Sequence, residues 1–133
     1  MTAFDTNILI YSCDRSDPRR QGRAFDILSA AQDGVLLWQV AAEFISASRK
    51  LAPQGFTSAH AWARLHEFMD VLPLVLPSPQ VFQHARDLHQ VQRLSFWDAM
   101  IIGACLDGGV HTLYSEDLPG TLPTTIQIID PFR

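Results

Sequence analysis

The chain has 133 residues, of which 47% are hydrophobic and 18% are charged. This length and apolar content predict one compact domain with its own core, and they exclude a disordered chain. The formal net charge is −4, so no overall basic field points to nucleic-acid binding. That charge does not decide the question, because carboxylates that hold a metal ion are neutralised by it.

The cysteines and the lengths of the apolar runs predict the cellular compartment and the relation to membranes. Cys13 and Cys105 lie far apart without C-x-x-C spacing, and no signal-peptide pattern opens the sequence. We therefore expect reduced thiols in a cytoplasmic protein. No apolar run approaches the roughly 18 residues needed to span a bilayer, so we expect no membrane insertion.

The first half of the chain alternates short apolar segments with helical patterns. The predicted strands cover residues 3–5 and 35–38, and the predicted helices cover 6–11, about 19–31, about 39–51 and about 57–69. Pro18 suits the first turn of its helix, and Asp33-Gly34 forms a turn.

The second half continues the alternation. The predicted strands cover residues 71–76, 111–114 and 126–129, and helices run from 78 to about 91 and from about 95 onward. Pro73 cannot donate to a strand ladder, so it favours an edge position or a kink for its strand. A Pro-Gly turn is predicted at Leu118-Pro119-Gly120.

This β-α alternation predicts a three-layer α/β/α sandwich around a mainly parallel sheet. The functional crevice of such a sheet lies at the carboxyl ends of its strands. Asp5 ends the first predicted strand, Glu43 lies in the helix just past the second, and Asp117 follows the fourth. We therefore expect these acidic residues at one edge of the sheet.

Isolated acidic residues in apolar surroundings are the main functional signal. Asp98 is the only charge in LSFWDAMIIGACL (residues 94–106), where Ser95 could cap a helix with Asp98 at its N3 position. Taken alone, that capping interpretation is favoured over catalysis. The same isolation recurs at Asp5 and at Glu43, and Glu43 has no comparable capping role.

Clustered carboxylates repel one another unless a cation compensates them, and all-oxygen sites suit Mg²⁺ or Mn²⁺. No H-x-x-x-H pair favours zinc, and we interpret the five histidines as structural or surface residues. The chain has no Walker A loop, G-x-G-x-x-G fingerprint or G-x-S-x-G elbow. These patterns favour phosphate chemistry with a metal-activated water.

Four segments carry a resemblance to a known family. They are FDTNILIY (residues 4–11), QVAAEF (39–44), SFWDAMI (95–101) and LYSEDL (113–118), in order along nearly the whole chain. With them the chain resembles PIN-domain ribonucleases of the VapC toxin type. The resemblance implies a PIN-like fold and an endoribonuclease that depends on Mg²⁺ or Mn²⁺.

The same resemblance implies the site. Its acidic quartet falls on Asp5, Glu43, Asp98 and Asp117. Asp5 would be the central metal ligand, Asp98 and Asp117 would complete the coordination, and Glu43 would hold metal-bound waters or a second ion. Three further residues would orient these carboxylates by hydrogen bonds, namely Thr6, Asn7 and Ser115. Ordinary capping is an equally good interpretation of Asn7, and we expect Glu116 to be exposed rather than a peripheral ligand.

Similar proteins form homodimers and are restrained by a small antitoxin, and we expect both partners here. The stripe of Trp62, Leu65 and Phe68 could serve such an interface, although core packing is the better interpretation.

A cluster of arginines could contact the RNA substrate. It consists of Arg15, Arg19, Arg20 and Arg23. A solvated helix face explains the cluster equally well, although guanidinium groups pair readily with phosphate.

Two other functions remain open from the sequence. An aspartyl-phosphate phosphatase also places an aspartate after a strand, but it usually has a second carboxylate two residues later, where this chain has Asn7. The other alternative is a non-catalytic RNA- or partner-binding module in which the carboxylates form a structural ion site.

Overall fold

The computed structural model describes residues 1–119, 122 and 124–133. Within these residues the strands are β1 (Thr2–Phe4), β2 (Leu36–Leu37), β3 (Leu74–Val75), β4 (Thr112–Tyr114) and β5 (Gln127–Ile129). The α-helices are α1 (Thr6–Cys13), α2 (Pro18–Ala30), α3 (Trp38–Ala47), α4 (Ser58–Val71), α5 (Gln80–Gln90) and α6 (Phe96–Asp107). The turn predicted at Leu118-Pro119-Gly120 reaches Gly120, which lies outside the described residues.

The strands pair in parallel throughout the described ranges. β4 lies between β1 and β5, and β2 pairs with β3. A parallel bridge between Thr2 and Gly34 joins the two groups, with the Val35 amide donating to the Thr2 carbonyl at 2.8 Å. The resulting order is β3-β2-β1-β4-β5, and with the connecting helices it confirms the predicted α/β/α sandwich with a parallel sheet.

Two predicted elements differ from the structure by more than a residue or two at one end. The predicted helix at 39–51 ends at Ala47 and continues as a 3₁₀ helix, Ser48–Gln54, which contains Pro53 and ends at Gly55 with φ of 81°. The strand predicted at 71–76 shrinks to Leu74–Val75, because Val71 still belongs to α4 and Pro73 interrupts the run. β3 lies at the edge of the sheet, where Pro73 is tolerated.

The most apolar helix, α6, is central to the packing. Its buried residues lie on more than one face, as expected for a helix packed on several sides. They are Ala99, Ile101, Ile102, Gly103 and Cys105. Gly103 lets α5 approach closely, because a Cβ atom there would lie 2.9 Å from the Val81 carbonyl oxygen. This packing places the first turn of α6, with Asp98, beside the ends of the strands.

The first four helices each contact a neighbour that is close in the chain. α1 contacts α2 and α3, and α3 contacts α4, with the Phe44 and Phe68 rings meeting edge to face at 5.3 Å. In the stripe on α4, Leu65 and Phe68 are buried core residues, whereas Trp62 is 52% exposed. Cys13 and Cys105 are free and buried. The described part of the chain contains no helix of the length and apolarity needed to cross a membrane.

Candidate active site

The ends of β1 and β4 form the floor of the candidate site. The strands are parallel neighbours, so the residues that follow them lie side by side. The Asp5 amide donates to the Tyr114 carbonyl at 2.9 Å, and the Ser115 amide donates to the Ile129 carbonyl at 2.9 Å. Asp5 and Ser115 are thereby held together at the carboxyl edge of the sheet, although 110 residues separate them.

Asp5 is the most buried of the four carboxylates. It precedes α1 as its N-cap, and the Thr6 amide donates to Oδ1 at 2.7 Å. The Ser115 hydroxyl donates to Oδ2 at 2.8 Å. The pKa of Asp5 is raised, first because burial strips water from the carboxylate and then because Glu43 and Asp117 are like charges nearby. The two hydrogen bonds oppose this rise without cancelling it.

Glu43 extends toward Asp5 from the middle of α3. The Thr6 hydroxyl donates to Glu43 Oε2 at 2.6 Å, and the Gln39 side-chain amide, one turn earlier on α3, donates to Oε1 at 2.7 Å. Thr6 therefore orients two carboxylates at once, Asp5 through its amide and Glu43 through its hydroxyl.

Asp117 and Asp98 complete the acidic wall from two other elements. The Asn7 side-chain amide donates to Asp117 Oδ2 at 2.7 Å, and the Asp117 amide donates to the Ser115 hydroxyl oxygen at 3.3 Å. Asp98 occupies the N3 position of α6, and its amide donates to the Ser95 hydroxyl oxygen at 3.3 Å. The capping interpretation of Ser95 therefore holds for the backbone, while the Asp98 side chain also borders the acidic cavity.

One open cavity of about 340 Å³ unites these groups. It is lined by Asp5, Thr6, Asn7, Glu43, Ser46, Ala47, Trp97, Asp98, Ile101 and Asp117. The lining contains four carboxylates and no basic side chain. None of the ion pairs formed among the described residues involves these four acids. We name this cavity the acidic cleft.

The chemistry of the acidic cleft fits a hard divalent cation, because its side-chain ligands are all oxygens and their mutual repulsion lacks another source of compensation. Over residues 1–119, 122 and 124–133, however, no group of three or more His, Cys, Asp or Glu side chains is arranged so that it could hold a metal ion directly. Mg²⁺ commonly retains several waters and uses only one or two carboxylates. A water-rich site of that kind is compatible with this arrangement.

The predicted arginine cluster makes contacts within the chain. Arg19 and Arg23 donate to the backbone carbonyls of Phe132 and Pro131, at 3.1 and 2.9 Å. Arg15 donates to the Gln54 carbonyl at 3.1 Å. These guanidinium groups therefore hold other segments of the same chain. Their contact with RNA stays a prediction.

Arg20 belongs to a cluster around Glu116. Its guanidinium pairs with Asp17 at 3.1 Å and with Glu116 at 3.6 Å, and it lies over the Tyr11 ring at 5.4 Å. The Tyr11 hydroxyl donates to Glu116, and burial together with this acid raises the pKa of Tyr11 to about 12. The expectation that Glu116 is exposed was wrong: its side chain is only 16% exposed. Glu116 instead anchors the loop that presents Asp117.

Two contributors to the site escaped the sequence analysis. Gln39 bridges Glu43 and the Trp97 carbonyl, and Tyr11 holds Glu116. The i,i+4 spacing of Gln39 and Glu43 on one helix was a usable signal for the first. Nothing local connects Tyr11 with Glu116, 105 residues away, so only the fold could reveal the second.

The fold and the cleft together define an α/β domain that gathers acidic residues at the carboxyl edge of a parallel sheet. A family model described as PIN domain matches residues 3–118. The chain therefore belongs to the PIN-domain family, which confirms the resemblance. Domains of this family are generally nucleases that depend on divalent metals.

A solved structure, a toxin-antitoxin complex from Klebsiella pneumoniae, is similar to this chain. The TM-score is 0.70 at 20% sequence identity, and the match covers 98% of each chain. At that identity the likeness establishes the fold. A comparison with curated protein sequences finds no significant match.

Proposed function

We propose that this protein is an endoribonuclease that hydrolyses RNA phosphodiester bonds with Mg²⁺ or Mn²⁺. The observation that carries the proposal is the acidic cleft, in which four carboxylates from different elements share one cavity and have no basic partner within residues 1–119, 122 and 124–133. Family membership supports nuclease chemistry, and the donor set supports a hard divalent cation.

Asp5 would be the central ligand of the cation, Asp98 and Asp117 would complete its coordination directly or through bound waters, and Glu43 would hold metal-bound waters or a second ion. When bound, a divalent cation lowers the pKa of a coordinated water and neutralises charge that develops on the phosphate. Glu43 lies where it could accept a proton from such a water, since both of its oxygens are oriented by hydrogen bonds from Thr6 and Gln39.

The supporting residues would keep the carboxylates in position between turnovers. Ser115 holds Asp5 and accepts from the Asp117 amide, so one hydroxyl links two acids. Asn7 fixes Asp117 from α1. Groups of this kind, which orient ligands without touching the substrate, commonly contribute about 10- to 100-fold to metal affinity or activity.

We further propose that the protein is the cytoplasmic toxin of a type II toxin–antitoxin pair, held inactive by a small antitoxin, and that it works as a homodimer. The resemblance of the four sequence segments to VapC-type toxins supports this role. The similarity in fold to a chain of a toxin-antitoxin complex is compatible with it.

Digestion of total RNA by the purified protein tests the proposed activity. We expect cleavage with Mg²⁺ or Mn²⁺, none with excess EDTA, and none by Asp5→Asn or Asp98→Asn variants whose circular dichroism matches that of the wild type. Mapping the cut ends would define the target. Intact RNA after incubation with metal-replete protein would favour the non-catalytic binding module instead.

The phosphatase alternative has a separate test. Its general acid would be expected at position 7, but Asn7 cannot supply a proton and already donates to Asp117. Incubation with a phosphate ester followed by intact-mass measurement should show no phosphate on Asp5. A phosphorylated Asp5 would revive that alternative.

A further inference from the structure

An apolar cavity of about 270 Å³ adjoins the acidic cleft. Among the residues that the structure describes, no charged side chain lines it, and the lining includes Trp38, Val75, Val81, Trp97 and Met100. The two tryptophans are 53% and 62% exposed, a large apolar area to leave in water on a small domain. Trp97 lines both cavities, so they share a wall.

Trp97 makes one ring contact and one backbone hydrogen bond beside the acidic cleft. The Phe96 ring meets the Trp97 ring edge to face, with centroids 4.9 Å apart. The Trp97 carbonyl accepts a hydrogen bond at 3.2 Å from the Gln39 side-chain amide, which also donates to Glu43. Trp97 also directly precedes Asp98 in the first turn of α6. Gln39 therefore links the backbone of Trp97 to Glu43, and the Phe96 ring contacts the Trp97 ring.

We propose that Trp97 is the stacking platform for a base of the RNA next to the cleaved phosphate, with Trp38 lining the far side of the base site. This inference rests on the proposed function, and it adds a substrate-binding site to it. Single-stranded RNA is commonly recognised by stacking its unpaired bases on aromatic rings. A base is flat and uncharged, which suits an uncharged cavity floored by an indole.

The position of the cavity favours a base over a protein segment. A phosphodiester in the acidic cleft has a base on each side along the strand, and Trp97 is the ring that borders both cavities. The cavity volume lies just below the range of about 300–1,000 Å³ typical of small-molecule sites, and it therefore suits one ring system.

Steady-state cleavage of a short single-stranded RNA carrying a mapped cut site tests the platform. We expect Trp97→Leu to raise KM about 5- to 150-fold, with a smaller change in kcat, because stacking contributes mainly to substrate binding. Trp97→Phe should retain part of the affinity, since it keeps an aromatic face. The matched control is Trp62→Leu on α4, a tryptophan of similar exposure that lines neither cavity, and it should leave KM unchanged.

An abasic substrate sharpens the same test. Two oligonucleotides are used, each lacking the base on one side of the cut. The one that lacks the stacked base should raise the KM of the wild-type protein, and on it the KM values of wild type and Trp97→Leu should be equal. Equal KM values for wild type and Trp97→Leu on the intact substrate would overturn the proposal.

A binding measurement separates this inference from the proposed activity. With Ca²⁺ in place of Mg²⁺, and with RNA integrity checked on a gel, the intact oligonucleotide should quench tryptophan fluorescence in the wild type and in Trp62→Leu, and much less in Trp97→Leu. Quenching without cleavage in Mg²⁺ would refute the nuclease and keep the platform. Unchanged quenching in Trp97→Leu, together with loss of its homodimer, would assign the cavity to protein docking instead.

Discussion

The acidic cleft and the arginine cluster are both concentrations of charge, but they differ in how their charges are satisfied. Asp5, Glu43 and Asp117 accept hydrogen bonds from neutral donors, and none of the four carboxylates of the cleft has a basic partner among the described residues. The arginines are already engaged with backbone carbonyls and carboxylates of their own chain.

The contrast separates a ligand site from a structural cluster of charges. Charges that compensate each other inside the chain stabilise the fold and need nothing further. Burial raises the pKa of Asp5, and the nearby charges of Glu43 and Asp117 raise it further, so this group of acids favours a counterion from solution. The acidic cleft therefore carries the functional hypothesis, and the arginine cluster fastens the C-terminal segment to α2 and α1.

The largest expected effect comes from removing the charge at the centre of the cleft. Asp5→Asn keeps the shape of the side chain but not its affinity for a cation, and we expect RNA cleavage to fall by more than about 100-fold, beyond the range typical of residues that only orient ligands. Initial rates of cleavage of a defined RNA measure this loss of activity. The matched control is Asp26→Asn, at an exposed position on α2, which should cleave like the wild type. Equal loss in both variants would contradict the assignment of the cleft.

Removing a neutral donor of the cleft should cost less. Thr6→Val deletes the hydroxyl bonded to Glu43, and Ser115→Ala deletes the hydroxyl bonded to Asp5. We expect each to lower activity about 10- to 100-fold and to weaken the apparent affinity for Mg²⁺. Rates measured across a Mg²⁺ titration check this. Thr6→Ser restores the hydroxyl and should recover most of the activity, whereas full activity of Thr6→Val would make the Thr6–Glu43 bond irrelevant to catalysis.

Metal and pH should change the stability of the protein through Asp5. The pKa of Asp5 is raised in the folded state, so its contribution to stability is complete below the ordinary value of 3.8 and is lost as pH rises through the raised pKa. Metal-free protein should therefore lose stability as the pH rises from 3.8 through the raised pKa of Asp5. At pH 7.5, Mg²⁺ at 100 times its Kd should restore about 2.7 kcal/mol, seen as a higher Tm.

The matched variant for this experiment is Asp5→Asn, which lacks the titrating group. Without metal at pH 7.5 it should melt at or above the wild-type Tm, and its Tm should respond little to Mg²⁺. An equal Mg²⁺ response in both proteins would place the ion elsewhere.

The smallest effects on activity should come from the arginine cluster. Arg23→Ala removes a hydrogen bond to the Pro131 carbonyl, and we expect a loss of about 1 kcal/mol in the free energy of unfolding in urea. Cleavage should stay within about threefold of the wild type. Arg86→Ala, at an exposed position on α5, serves as the control for loss of one positive charge. Two results would instead make Arg23 a phosphate contact. Arg23→Ala would raise KM without changing stability, and the slope of log K for RNA binding against log salt concentration would fall by about one.

Much of the fold could be predicted because its local signals agree with its tertiary structure. Pro18 stands at the first turn of α2, Thr57 caps α4 and Ser95 caps α6, so these helices begin close to where capping chemistry places them. Short apolar strands between helices are typical of a parallel sheet, and the sheet is parallel.

The errors concern the ends of a helix and a strand and the burial of one loop residue. The segment after Ala47 has helical periodicity, yet it tightens into a 3₁₀ helix that ends at Gly55. Glu116 looked like an ordinary polar loop residue, but Tyr11 and Arg20 from α1 and α2 cover it. Neither partner is near it in the sequence, so no local pattern could indicate its burial.

The amino-acid sequence alone was enough to predict the order of helices and strands, the parallel sheet and the isolation of each acidic residue, because capping, periodicity and the cost of burying a charge are local properties. The folded chain was needed to show that the acids border one cavity, that Thr6 joins Asp5 to Glu43, and that Trp97 lies between the acidic cleft and an apolar cavity. Those relations depend on the packing of α1, α3 and α6 at the strand ends, where residues more than 30 positions apart come within hydrogen-bond distance.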